Sequence, residues 1–268
     1  MLKNIVSFLY SSYCFFFRVP IPFEYKFTNS GILIGGLIQS LAYFILYYCL
    51  QLFLIESVAT ILALISLSLL TGFFHEDGLA DTADSLGVPL FNDTSSKKKC
   101  LEALKDSRLG AYGVNSISIL WIFRCLFILS CQHPGWCGFL SVGLSRLFVL
   151  SIGHILIRNE FLNSINSMSQ THQLAGIPIW KNFSLSLFQL GFYVILGNYW
   201  FNFSSLFLMC LFFLNVFIVF SLCISLSRRT NGVNGDYLGA TICILEVFHL
   251  LMFSYANPSQ NFNIWGGK

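Results

Sequence analysis

Long apolar runs separated by short polar stretches dominate the chain. Seven of them, at 31–55, 57–73, 109–131, 135–157, 183–202, 204–226 and 238–255, approach or exceed the roughly 20 residues a helix needs to cross about 30 Å of hydrocarbon. The second is the shortest, and Gly72 marks its end. The pattern predicts an all-α polytopic membrane bundle of about seven transmembrane helices, built as a single integral-membrane domain over 1–268. A further apolar stretch, Ile5 to Phe17, follows one lysine. No small-residue cleavage site comes after it, and it is too short to span comfortably. It reads as an interfacial or re-entrant segment.

Composition supports the membrane reading. Of the 268 residues 56% are hydrophobic and only 10% charged, against about 25% charged in soluble domains. Mean hydropathy is +0.72. So few charges cannot cover a water-facing surface, and most of the outside must face lipid. The net charge of +3 is small, and no basic stripe is interleaved with exposed aromatics, so nucleic acid is not an expected partner. Of the nine cysteines, Cys14, Cys49, Cys125, Cys131, Cys210, Cys223 and Cys243 lie in or beside apolar runs, where cysteine behaves as a small hydrophobe. No CxxC or CxxH pair suggests zinc.

The basic residues predict orientation. With the N-terminus cytoplasmic, twelve of the 15 Lys and Arg fall on the cytoplasmic side, Lys268 alone falls opposite, and Arg124 and Arg146 lie inside spans. This is a one-sided positive-inside distribution. It places the polar segments 74–108, 158–182 and 227–237 on the cytoplasmic face, where chemistry is then expected. Within the spans, Arg146 and Glu246 sit at similar mid-membrane depth and are expected to pair, because a lone charge there is costly. Arg124, about 10 Å from the outer end of its span at 1.5 Å per residue, is close enough to snorkel.

Three polar clusters carry candidate chemistry. The first is HEDGLADTADSLG at 75–87, expected as part of a carboxylate-rich loop. Asp77, Asp81 and Asp84 are spaced i, i+4, i+7, one face of a helix. Neighbouring carboxylates about 6 Å apart cost on the order of 3 kcal/mol per pair at an effective dielectric of about 20. A cation offsets that cost, and an all-oxygen set favours Mg²⁺, then Mn²⁺. A carboxylate-held Mg²⁺ commonly presents phosphates for transfer. The alternative is an acidic helix face that merely meets water.

The second cluster, LKDSRLGAYG at 104–113, opens the third span. Asp106 or Ser107 suits a helix cap, and Arg108 with the glycine-flanked backbone suits an anion cradle. The third, RRTNGVNGDYLGAT at 228–241, combines two arginines with a glycine-rich turn. Arg229 and the backbone near Asn234, Gly235 and Asp236 suit phosphate; a flexible connector with positive-inside arginines is the alternative. Lys97, Lys98 and Lys99 suit solvent or anionic lipid. His133, His154, His172 and His249 have no ligand spacing.

These clusters, in this order, resemble the cobalamin synthase family, adenosylcobinamide-GDP ribazoletransferase. HEDGLADTADSLG is similar to the family's H-x-DGLADTADG signature, and GVNGDYLGAT at 232–241 to its G-x-TGD-x-LGA. KDSRLGAYG at 105–113 and Arg18-Val19-Pro20-Ile21-Pro22 extend the likeness over nearly the whole layout. Ser85 stands where glycine is usual, and Asn234 where threonine is usual. The resemblance implies a prokaryotic cytoplasmic (inner) membrane enzyme with its active site on the cytoplasmic face. Its partners would be a corrinoid nucleotide, α-ribazole or its 5′-phosphate, and membrane lipid, with homo-oligomers allowed. Mg²⁺ is the implied cofactor, with Asp77, Asp81 and Asp84 as its ligands. His75, Asp77, Asp81, Asp84 and Asp106 are the implied catalytic residues. Ser107, Arg108, Arg229, Asn234, Gly235 and Asp236 would bind substrate. The general base is open between a carboxylate and His75.

Two other readings compete. CDP-alcohol phosphotransferases also place aspartates in a D-G-x-x-A context, but Asp81 follows Ala80 where they carry arginine, and their later G-x3-D-x3-D is missing. A cation-coupled transporter would place its charges at mid-membrane, often with internal repeats. Here the acidic cluster is expected outside the spans, and no repeat is seen.

Overall fold

A computed structural model describes residues 2–18, 29–89, 94–106, 108–158, 176–201, 203–230 and 232–256, and among them every regular element is helical. In chain order these are α1 (Leu2–Phe16), a 3₁₀ turn (Asn29–Ile34) running into α2 (Gly35–Gln51), α3 (Glu56–Thr71), α4 (Phe74–Leu86) and α5 (Thr94–Ala103). They are followed by α6 (Ala111–Leu129), α7 (Pro134–Arg158), α8 (Ile179–Phe201), α9 (Ser205–Thr230) and α10 (Gly235–Ala256). Among the described residues six helices are long and apolar enough to cross a membrane, or seven with the bent α3–α4 pair counted as one span. All seven expected spans are present as helices, with ends shifted by a few residues. Segment 159–175 and residues 19–22 of the early Arg-Pro motif lie outside the described residues.

α7 is the central helix, with 83% of its most apolar window buried. α2, α3, α8, α9 and α10 surround it. Their outward faces carry exposed apolar side chains such as Phe183, Phe188, Ile195, Phe213 and Phe217. On a soluble protein this surface would aggregate; against lipid it is the expected boundary.

The acidic stretch 74–108 is not one open loop: Phe74–Leu86 and Thr94–Ala103 form α4 and α5, and α4 packs deeply against α10 and α6. α3 ends in a Schellman turn: the Phe73 amide donates to the Ser68 carbonyl at 2.7 Å and the Gly72 amide to that of Leu69 at 3.0 Å. Gly72 adopts φ 65°, the left-handed conformation this motif requires at its glycine. Phe73 follows at φ 55°, and the chain turns 81° into α4. Arg18 covers the turn, its amide donating to the Leu70 carbonyl at 2.9 Å and its guanidinium lying 5.9 Å from the centre of the Phe74 ring.

Among the described residues four charged side chains lie inside the bundle. Arg146 pairs directly with Glu246, as expected, and its Nε donates to Gln39 Oε1 at 2.9 Å. Arg124 does not snorkel. Its side chain is 2% exposed, with Nη1 2.6 Å from Glu76 and Nε 2.9 Å from Glu246. Glu76 also accepts from Ser68 Oγ at 2.6 Å. Two arginines and two glutamates thus neutralise one another, joining α4, α6, α7 and α10. A charge this deep needs such partners, and Glu76 provided the one that Arg124 lacked in the sequence reading.

Candidate active site

One end of the bundle gathers the C-terminus of α4, the start of α6, the end of α9 and the start of α10. The acidic face of α4 lies here. Asp77 is exposed, and Asp81 and Asp84 are half-buried. Between Asp77 and Asp81 lies Gly78, where a Cβ would meet the Asp236 backbone at 2.9 Å. The missing side chain lets α10 approach α4 closely. Asp236 therefore joins the acidic face from a second helix. The charges acting on Asp81 are those of Asp77, Asp236 and Asp84, all negative.

Asn234 builds the start of α10. Its Oδ1 accepts the Tyr237 amide at 2.9 Å, an N-terminal cap, while its Nδ2 donates to Asp236 Oδ2 at 2.7 Å. Asparagine and threonine are both capping residues, so the departure at 234 keeps the cap and adds a donor that orients Asp236. Ser85, the other departure, is buried and bonds the Thr82 carbonyl within its own helix at 2.7 Å.

Asp84 points elsewhere. Its two oxygens accept the amides of Gly110 and Gly113, each at 2.8 Å. Among the described residues no three His, Cys, Asp or Glu side chains converge as metal ligands. The expected Asp77–Asp81–Asp84 trio is therefore not assembled as a cage. The residues that share the site are Asp77, Asp81 and Asp236. Mg²⁺ commonly takes one or two carboxylates, keeps several waters and completes its shell with phosphate oxygens. An exposed and a half-buried aspartate with oxygen donors alone suit an ion held in that way.

The other expected residues are distributed differently. Arg229 sits over the C-terminus of α4, donating through Nη2 to the carbonyls of Val88 at 2.8 Å, Ser85 at 3.2 Å and Leu86 at 3.3 Å. A cation there satisfies the last carbonyls and the helix dipole. Arg108 is exposed and binds Asp106, Nη2 to Oδ2 at 2.7 Å. Those hydrogen bonds hold the Asp106 carboxyl below the usual range, to about 2. This pair stands at the protein surface. His75 is 2% exposed, beside the rings of Phe16 and Phe74, and neither ring nitrogen has a hydrogen-bond partner among the described residues. Ser107 lies outside the described residues.

Sequence reasoning missed Glu76 because it stands next to Asp77 and looked like part of the acidic face. Its neighbour Arg124, an uncompensated charge in an apolar run, was the signal that a buried acid had to exist.

Fold and site together define a polytopic membrane protein with an acidic, oxygen-only centre at one end of its helical bundle. The chain belongs to the cobalamin-5-phosphate synthase family, whose model matches residues 9–254. It is 32% identical over 267 residues to the adenosylcobinamide-GDP ribazoletransferase of Shewanella piezotolerans, covering 91% of this chain and 93% of that one. The protein of the same name from Shewanella amazonensis is 31% identical, over 87% of this chain and 89% of the relative. That of Vibrio cholerae is 29% identical, over 90% and 91%. No solved structure matches the chain.

Proposed function

We propose that this chain is a Mg²⁺-dependent adenosylcobinamide-GDP ribazoletransferase. It joins α-ribazole, or its 5′-phosphate, to adenosylcobinamide-GDP and releases adenosylcobalamin, or its 5′-phosphate, and GMP. The observation that carries the reading is the meeting of two family signatures. HEDGLADTADSLG on α4 presents Asp77 and Asp81, and GVNGDYLGAT at the start of α10 brings Asp236 against them. The whole chain acts as one catalytic domain.

In the reaction, the ribose 3′-hydroxyl oxygen bonds to the cobinamide-side phosphorus of the diphosphate. The bond from that phosphorus to the GMP oxygen breaks. Asp77 and Asp81, with Asp236 beside them, would hold Mg²⁺, which would supply charge neutralisation at the phosphates. The hydroxyl proton goes to a carboxylate of α4, since His75 is buried beside two phenylalanine rings. Lys97, Lys98, Lys99, Lys105, Arg108 and Arg228 surround this end of the chain with positive charge, which draws in anionic substrates.

The division of basic residues supports a cytoplasmic N-terminus and an active site at the cytoplasmic face of a prokaryotic inner membrane. The test is incubation of purified protein with adenosylcobinamide-GDP, α-ribazole and Mg²⁺. GMP and a new corrinoid in equal amounts are expected. Their absence, with folded protein and an active relative as control, overturns the reading.

A further inference from the structure

Asp84 is the residue whose observed contacts depart most from its expected role. In α6 the first amides have no partner within the helix. Two of the amides at this end, those of Gly110 and Gly113, instead donate to Asp84, one to each carboxylate oxygen and both at 2.8 Å. The carboxylate of one helix thus caps another, at the end where the helix dipole favours negative charge. The two glycines are shaped to it. A Cβ at Gly113 would meet Asp84 Oδ2 at 2.5 Å, and one at Gly110 would overlap the same carboxylate. Both oxygens have backbone donors.

We infer that Asp84 is a positioning residue for the transfer reaction, not a ligand of metal or substrate. Its two bonds pin α4 to α6, less than one helical turn beyond Asp81. Arg229 holds the same end of α4 from α9, and Gly78 receives Asp236 from α10. α4 is thereby fixed from three sides, with Asp77 and Asp81 facing Asp236. The inference rests on the transferase reading only for its kinetic readout; the cap itself is tested separately.

The full-length protein, purified in detergent, would carry Asp84→Asn, Asp84→Ala, Gly113→Ala or the Asp84→Ala/Gly113→Ala pair, with Asp81→Asn for contrast. Thermal unfolding, Mn²⁺ binding without substrate, and steady-state kinetics would be measured on each. Asparagine keeps one acceptor oxygen, so Asp84→Asn is expected to lie between wild type and Asp84→Ala. In Asp84→Ala, kcat per folded molecule should fall at least about tenfold, the scale on which orienting partners act. Mn²⁺ affinity and the KM for adenosylcobinamide-GDP should stay within about twofold of wild type. Asp81→Asn should instead weaken Mn²⁺ binding by at least about tenfold. The unfolding shifts of Asp84→Ala and Gly113→Ala should not add in the pair, because both remove one contact.

Mn²⁺ binding weakened as much in Asp84→Ala as in Asp81→Asn would make Asp84 a ligand and overturn the inference. An unchanged kcat per folded molecule would reduce it to a structural cap and overturn it as well. Additive unfolding shifts would show that the contact is absent. If the wild type shows no transferase turnover, the functional reading fails on its own, while the coupling of the unfolding shifts still decides whether Asp84 caps α6.

Discussion

Glu76 and Arg124 form an ion pair of 2.6 Å inside the bundle, with their side chains only 4% and 2% exposed. Glu76 is the residue immediately before Asp77, so this pair anchors the deep end of α4 directly beneath the acidic site. α4 is held at its other end by the bonds from Gly110, Gly113 and Arg229. Neither anchor is an ordinary apolar contact, and both depend on charge.

Removing one member of this pair leaves a buried charge without its partner, a loss of about 3–5 kcal/mol in comparable sites. Glu76→Gln and Arg124→Met should each sharply reduce the yield of folded protein and its unfolding temperature in detergent. The double change leaves Arg146 and Glu246 as a balanced pair and should recover most of the stability. Size-exclusion profiles and thermal unfolding would check this, and a double variant as damaged as both singles combined would refute it.

Glu246 serves two arginines, which changes what a charge swap can do. A simple Arg146–Glu246 pair would be rescued by Arg146→Glu with Glu246→Arg. Here the swap sets a new guanidinium beside Arg124, which lies 2.9 Å from Glu246. The swapped double should therefore remain poorly folded, whereas Arg146→Met with Glu246→Gln, which leaves Arg124 and Glu76 paired, should recover. Folded yield by fluorescence-detected chromatography separates the two outcomes.

Much of this architecture was legible in the sequence, and the exceptions have physical causes. The spans were legible because lipid demands unbroken apolar length. The acidic helix face was legible because i, i+4, i+7 spacing survives any packing. The partners of those side chains were not. Asp84 meets α6 across 26 and 29 residues, and Arg124 meets Glu76 across 48, separations that no local pattern records. Asn234 was read as a departure within a phosphate-binding turn, yet its place just before a helix already marked it as a cap. Arg229 suits a phosphate fork by its place beside a glycine-rich turn; the carbonyls that its Nη2 binds belong to the end of α4, whose helical extent the local sequence does not mark.

Changing Asp77 or Asp81 to Asn should reduce GMP release more than about 100-fold, the scale of lost electrostatic or proton-transfer catalysis. Stability should hold or rise, because each change relieves repulsion within the Asp77–Asp81–Asp236 group. Turnover and unfolding temperature measured on the same preparations would test this. Near-normal turnover in both variants would remove the carboxylates from the mechanism.

Engineered cysteines at Ser95 and Arg228, both exposed, test orientation. The exposed native thiols Cys14, Cys49 and Cys210 would first be replaced. An impermeant thiol reagent added to intact cells should leave both engineered sites unlabelled and should label them after permeabilisation. Labelling from outside at either site would place the acidic end of the bundle on the opposite face.

The buried charges also constrain how the protein is made. Synthesis runs from the N-terminus, so Glu76 already exists when Arg124 reaches the bilayer, and the two can neutralise each other at once. Arg146 has no such advantage: its acidic partner Glu246 lies 100 residues downstream. Until α10 is synthesised, α7 carries a cation whose burial costs roughly 2.5–3.5 kcal/mol on the insertion scale. Its hydrogen bonds to Gln39, already present on α2, and to Ser145 on its own helix give that guanidinium polar company in the interval. α10 then completes the charge balance, and the same insertion step brings Asp236 to the acidic face. Catalytic assembly and electrical neutrality of these four charges are reached together, only when α10 is in place.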